Sequence, residues 1–195
     1  DGVAEALAAV WASDGRSVRC LDGATGAELW ASTDVFAFGM AVEALADVTG
    51  DGLAEVVVGS WDHAVHLLDG GDGSRVWRSE VGTLNGGDVW SVRAIGDLDG
   101  DGQQDAVAGS FDTHAYAMSG ATGKVLWAFA TGNRVLSVAP VGDLDGDGRA
   151  EVAVGTQDTT SNVVVHVLSG AAPDPDIFSD GFESGDTGAW DQTTH

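Results

Sequence analysis

Asp97-Leu-Asp-Gly-Asp-Gly-Gln-Gln-Asp105-Ala-Val-Ala-Gly-Ser110 is the stretch whose reading decides the fold. A run of alternating carboxylates and glycines passes directly into a short Val/Ala segment, the pattern of a tight acidic turn feeding a strand. It recurs without gaps as Asp47-Val-Thr-Gly-Asp-Gly-Leu-Ala-Glu55-Val-Val-Val-Gly-Ser60 and as Asp143-Leu-Asp-Gly-Asp-Gly-Arg-Ala-Glu151-Val-Ala-Val-Gly-Thr156. The copies start 50 and 46 residues apart, and Asp1-Gly-Val-Ala-Glu5 matches the second half of the loop at Asp51. Self-similarity at a fixed period is the signature of a repeat architecture.

A second motif runs in phase with the first. Leu21-Asp-Gly-Ala-Thr-Gly-Ala-Glu-Leu-Trp30 returns as Leu68-Asp-Gly-Gly-Asp-Gly-Ser-Arg-Val-Trp77 and as Met118-Ser-Gly-Ala-Thr-Gly-Lys-Val-Leu-Trp127, with a truncated copy at Leu168-Ser-Gly-Ala171. Between the motifs lie short Val- and Ala-rich segments bounded by Gly, Asp and Ser. In the third unit these are 89–95, 105–109, 114–119 and 124–130. No helical period of apolar residues competes with them. Four short antiparallel strands per unit of about 40–50 residues define a β-propeller blade. The expected fold is therefore all-β, with about three and a half blades over residues 1–171 forming part of a larger propeller. The opening unit lacks its leading strand, and the last is expected to hold three strands. Residues 172–195, entered through Pro173 and Pro175, are expected to be a tail or linker outside the sheet.

Composition narrows the function. The chain of 195 residues carries 31 Asp or Glu against 8 Lys or Arg, a net charge of −23. A basic footprint for nucleic acid is absent, as is one for an anionic membrane surface. No apolar run is long enough to span a bilayer as a helix. Hydrophobic residues make up 44% and there are seven Trp, which is enough to build a core. Cys20 is the single cysteine, so neither an internal disulfide nor a Cys-based zinc site is available.

The chemistry of the chain sits in the acidic loops. Carboxylates at loop positions 1, 3, 5 and 9 with a backbone carbonyl at 7 can wrap one cation, and an all-oxygen set in a flexible loop suits Ca²⁺. The expected ligands in the third unit are Asp97, Asp99, Asp101, the Gln103 carbonyl and Asp105. In the fourth they are Asp143, Asp145, Asp147, the Arg149 carbonyl and Glu151. In the second they are Asp47, Thr49, Asp51, the Leu53 carbonyl and Glu55, with Thr49 in place of a charged group and hence a weaker site. The first unit keeps a partial loop of Asp1, the Val3 carbonyl and Glu5. An EF-hand would need a Glu at position 12 and flanking helices. Position 12 is Val58, Ala108 and Val154, each within a strand segment.

These loops and their flanking strands resemble FG-GAP repeats, the calcium-binding blades of integrin α-subunit propellers and of many secreted bacterial proteins. The likeness is closest over 38–60, where Phe38-Gly39 precedes the loop. Val89-Trp90 and Val135-Leu136 stand where that pair would be, and Gly-Ser or Gly-Thr replaces the Gly-Ala-Pro ending. Asp22-Gly-Ala-Thr25-Gly26-Ala-Glu-Leu-Trp30 resembles the docking motif of quinoprotein-like (PQQ-like) blades, which implies a Trp packed between blades. The segment from Phe178 to Trp190 is similar to C-terminal tails of secreted bacterial proteins.

Trp30, Trp77 and Trp127 share one column and are expected in the core or between blades. Arg19, His66, Tyr116 and His166 share a column of changing identity, read as a partly exposed face. No catalytic constellation or phosphate-binding loop is present in the sequence. The expectation is a non-enzymatic calcium-binding propeller, secreted or at the cell surface with a periplasmic location as a variant, offering an interaction or adhesion surface to protein or glycan partners. The alternative is the propeller part of a quinoprotein dehydrogenase or polysaccharide lyase, which Lys124, the only lysine, serves poorly.

Overall fold

The computed structural model describes residues 3–11, 14–35, 37–81, 87–157 and 163–171, together with the backbone of 176–181. Among the described residues there are fifteen strands and no helix, and so none long and apolar enough to cross a membrane. The strands fall into four antiparallel sheets in which neighbours in sequence are neighbours in space. The first sheet holds β1 (Ala6–Ala9), β2 (Val18–Leu21) and β3 (Glu28–Ser32). The second holds β4 (Gly39–Leu45), β5 (Glu55–Ser60), β6 (Ala64–Leu68) and β7 (Arg75–Glu80). The third holds β8 (Val89–Ile95), β9 (Asp105–Ser110), β10 (His114–Met118) and β11 (Val125–Ala130). The fourth holds β12 (Arg134–Gly142), β13 (Glu151–Gln157), β14 (Val163–Leu168) and β15 (Asp176–Gly181). These are propeller blades, and among the described residues the first has three strands.

The blades stack in chain order, with β1 against β4, β4 against β8 and β8 against β12. The apolar core lies between blades. One cluster joins Val18, Cys20 and Trp30 of the first blade to Val56, Val58 and Leu68 of the second. Another joins Leu45, Val57 and Leu67 to Val89, Val92 and Ala106. The third joins Ile95, Val107 and Trp127 to Val135, Val152 and Leu168. A twisted four-stranded sheet has two faces to cover, and stacking blades lets one apolar surface cover the next.

Two expectations change. The fourth blade has a fourth strand: β15 pairs with β14 from Val164↔Gly181 to Leu168↔Asp176, where a tail or linker was expected from residue 172. An outer strand needs only a partner for its backbone on one side, so it carries no requirement for the alternating apolar pattern that marks inner strands. The rest of 172–195 lies outside the described residues. The register also realigns the repeats. Gly39, Val89 and Val135 pair with Ser60, Ser110 and Thr156 respectively, so Phe38 is matched by Asp88 and Arg134 and not by Val89 and Val135.

Candidate metal centres

Each acidic loop joins the first two strands of a full blade, β4 to β5, β8 to β9 and β12 to β13. The leading aspartate organises the loop. Asp97 Oδ1 accepts the Gly100 and Asp101 N–H at 2.6 and 3.2 Å, and Oδ2 accepts the Gly102 N–H at 2.8 Å. Asp47 does the same with Gly50, Asp51 and Gly52, and Asp143 does so with Gly146 and Gly148. Gly100 and Gly102, with φ of 83° and 85°, take the left-handed conformation that turns this backbone inward. These amide donors hold the Asp97 carboxyl below its usual range, the Gly102 N–H most of all, against a smaller upward push from burial. The loop position 5 acids repeat a smaller turn, with Asp51, Asp101 and Asp147 each accepting the N–H two residues on at 2.8 Å.

The last acid of each loop is buried at the start of the second strand: Glu55 at 1% exposure, Asp105 and Glu151 at 0%. Each accepts the N–H of loop position 2, from Val48, Leu98 and Leu144. Their second oxygens diverge. Glu55 Oε1 accepts the Thr49 N–H at 3.1 Å, and Asp105 Oδ1 accepts the Gly120 N–H at 3.0 Å. Glu151 Oε1 is buried with no hydrogen-bond partner. Burial pushes the Glu151 carboxyl up; the Leu144 N–H opposes this, and Asp145, Asp147 and Asp143 add to it. Asp105 is raised in the same way, by burial first and by Asp99 and Asp101, against the Gly120 and Leu98 amides.

The structure gathers these residues into three groups whose oxygens lie within 4.8 Å of one another: Asp143, Asp145, Asp147 and Glu151; Asp47, Asp51 and Glu55; Asp97, Asp99 and Asp101. Asp105, expected as a ligand, stands outside the third group. Its side chain is one methylene shorter than that of Glu151, and both of its oxygens accept backbone N–H groups. Thr49 contributes its N–H to Glu55, while Leu53, Gln103 and Arg149 follow the position 5 acids on the turns just described. In the partial loop Val3 and Glu5 are exposed and Asp1 lies outside the described residues. The fourth loop is the best fit for a dication, because four carboxylates converge there and a buried oxygen of one of them has nothing to bind.

Sequence reasoning missed how the loops connect. Gln104 Oε1 accepts the Ala46 N–H at the mouth of the second loop (2.8 Å), and Arg149 Nε donates to the Leu98 carbonyl of the third (2.8 Å). Behind them, the indole N–H of Trp30, Trp77 and Trp127 donates to the carbonyls of Gly70, Gly120 and Gly170 in the following blade, at 2.8, 2.7 and 3.2 Å. The shared Trp column therefore docks between blades. The Arg19/His66/Tyr116/His166 column, read as a partly exposed face, is so at Arg19 and Tyr116, whereas His66 and His166 are buried. His66 is fully buried with Nε2 3.1 Å from Asp62, and the Tyr116 hydroxyl donates to Asp112 at 2.5 Å. Arg19 bonds Asp14 and Glu28. An acid in the turn before each of these three strands was the available signal.

Residues 47–108 match the FG-GAP-like repeat family model, and 135–168 match the FG-GAP repeat model. No curated protein matches the chain. Among solved structures the chain is similar to the C-terminal WD40 domain of Sif2, with a TM-score of 0.56, 14% identity and 77% of this chain covered. It is also similar to the computationally designed Ika8 protein, with a TM-score of 0.60, 15% identity and 87% of this chain covered. The chain spans 38% and 50% of the length of those two proteins. At these identities the likeness concerns the fold.

Proposed function

We propose that these FG-GAP-type blades form a calcium-stabilised, non-enzymatic scaffold that works outside the cell and presents its surface to protein or glycan partners. The observation that carries the calcium reading is Glu151 Oε1, a buried carboxylate oxygen without a partner beside Asp143, Asp145 and Asp147. A buried charge of that kind is costly unless paired or bound to a metal. Asp143, Asp145, Asp147 and Glu151 would hold the ion in the fourth loop, Asp47, Asp51 and Glu55 in the second, and Asp97, Asp99 and Asp101 in the third. Oxygen ligands of this kind favour Ca²⁺ over the tighter octahedron of Mg²⁺. The ion would supply charge neutralisation and a cross-link between the first two strands of a blade. Three filled loops would add six positive charges to −23, leaving −17.

The scaffold reading rests on the same residues. Two titratable groups of the inner strands, His66 on Asp62 and Tyr116 on Asp112, are engaged in holding turns and strands. Extracellular placement follows from the repeat type and from loops of a kind that external, millimolar calcium would fill. The test is a thermal melt in EDTA, in millimolar CaCl₂ and in MgCl₂. One site filled at a hundredfold excess over Kd adds about 2.7 kcal/mol, and a chain of this size gains roughly 2–4 °C per kcal/mol. A rise of about 5–10 °C with calcium, and less with magnesium, is expected. A melt indifferent to calcium would refute the metal reading.

A further inference from the structure

The face opposite the acidic loops carries a pocket of about 450 Å³ in the cleft between the third and fourth blades. Phe111, Thr113, Asn133, Arg134, Leu136 and Gln157 line it, with Gly132 at its edge. Its size falls within the range of pockets that take small organic ligands. Among the described residues its lining contains one cation and no carboxylate, in a chain with 31 acids and 8 Lys or Arg.

The polar groups of the pocket are held in place by backbone and are otherwise unoccupied. Arg134 and Gln157 are directly opposed residues on the paired strands β12 and β13. The Arg134 guanidinium lies over the Phe111 ring, 5.0 Å from its centroid, and makes no hydrogen bond or ion pair among the described residues. Its charge reaches Asp88, whose buried Oδ1 lies 3.3 Å from His63 Nδ1 and accepts no hydrogen bond among the described residues. Asn133 is pinned through its backbone, whose carbonyl accepts the Thr131 hydroxyl at 2.6 Å, so its amide is free to face the cleft. Neither that amide, nor the Gln157 amide, nor the Thr113 hydroxyl has a hydrogen-bond partner among the described residues. Phe111 is backed by Trp90, stacked at 4.6 Å and 8°, and carries the Arg134 guanidinium over its ring, so the stack fixes where the cation stands.

We propose that this cleft binds a saccharide bearing a single carboxylate, a uronic acid residue, with the carboxylate on Arg134. A guanidinium takes a carboxylate through two parallel hydrogen bonds and keeps its charge at any physiological pH. Amides and a hydroxyl that both donate and accept suit the hydroxyls of a sugar ring. The ligand carries one carboxylate and not a run of them, because a net charge of −23 repels a polyanion. The inference extends the scaffold reading by naming a partner class, and it places the partner on the face away from the calcium loops.

The test is calorimetric titration of the full chain in millimolar CaCl₂ with three probes. These are a disaccharide ending in glucuronic acid, the matching disaccharide ending in glucose, and a short peptide of neutral residues with a free C-terminal carboxylate. The acidic sugar should bind about tenfold or more tightly than the neutral one, the size of a charge-assisted pair. Arg134→Gln should erase that preference, and Arg134→Lys, which keeps the charge without the fork, should retain part of it. Arg134→Gln should keep the calcium-dependent rise in melting temperature, so a failure of the pocket and a failure of the calcium reading are separable. Equal binding of the two sugars, no binding of the acidic sugar at millimolar concentration, or unchanged preference in Arg134→Gln would overturn the proposal. So would a peptide that binds as tightly as the acidic sugar.

Discussion

Gly26 and Gly123 occupy the same place in the same turn, and their comparison isolates the contribution of one blade-to-blade contact. Their φ angles are 72° and 70°, so replacing either with alanine incurs the same left-handed strain, about 1–2 kcal/mol. Around Gly26 an added Cβ meets nothing within 4 Å. At Gly123 it would lie 2.7 Å from Cδ2 and Cε3 of Trp77, the indole that donates to Gly120 at 2.7 Å. The ring is hemmed in by the blade behind it, so accommodating the methyl group means displacing the indole. Overpacking of that kind costs about 1–3 kcal/mol, and a lost neutral hydrogen bond adds about 1. Gly123→Ala should therefore be roughly 2–4 kcal/mol more destabilising than Gly26→Ala. In a chain of this size that is on the order of 5–10 °C of additional loss in melting temperature. The melt would be followed by near-ultraviolet circular dichroism, which reports on the tryptophans. A double-mutant cycle completes the test: in a Trp77→Leu background the excess cost at Gly123 should largely disappear. Equal losses for the two glycine variants, or an excess that survives removal of the indole, would refute the view that Trp77 docks as a blade-to-blade latch.

Two further expectations concern the carboxylates. Glu151→Gln should cut the calcium-dependent stabilisation of the fourth loop, and Thr49→Asp should raise that of the second, both read as the difference in melting temperature between CaCl₂ and EDTA. Asp105→Asn should instead lower the melting temperature in EDTA itself, since an amide nitrogen cannot accept from Leu98 or Gly120. The pH dependence at Asp62 has a defined sign. Burial pushes its carboxyl up, but the hydrogen bond from His66 and the charges of His66 and Arg78 outweigh this and hold it below its ordinary value of 3.8. The stability it contributes is therefore present above pH 3.8 and is lost as pH falls through the lower folded value. Asp62→Asn should flatten the acid-side decline in melting temperature below that pH, and a slope identical to wild type would contradict the assignment.

Much of the architecture was legible because repetition supplies its own check. Three in-phase copies of Asp-x-x-Gly-Asp-Gly located each hairpin, and the strands of the third blade fall within a residue of where the Val/Ala segments put them. The fourth-blade outer strand was not legible, because pairing on one edge is a backbone property that leaves little trace in side-chain pattern. The metal groups were legible as loops and not as individual ligands. Position 9 reads as an acid in all three, yet whether its second oxygen is free depends on the fold of the loop at Thr49 and on Gly120, which approaches from the β10–β11 turn. The buried His66 was misjudged because a polar residue on a strand reads as partly exposed until its partner in the preceding turn, here Asp62, is known. The pocket at Arg134 could not be seen at all from sequence, since it is formed by two blades at positions with no repeated identity.

The bonds from Trp77 to Gly120 and from Ala46 to Gln104 cross from the second sheet to the third, and the Gly120 N–H to Asp105 bond ties their two ends together within the third. The segment that must be kept intact is therefore offset by half a blade from the sheet that the eye picks out. Recombination at the sheet boundary, whether in a gene or on the bench, would separate an indole from its acceptor and a glutamine from the loop it braces. A crossover between β5 and β6 would part Trp30 from Gly70 and Ala46 from Gln104, whereas one in the β10–β11 turn past Gly120 would leave Trp77 with its acceptor and Gln104 with Ala46. Exchange of blades among such arrays is thus constrained to particular seams, and the grammar of the array is written in overlaps.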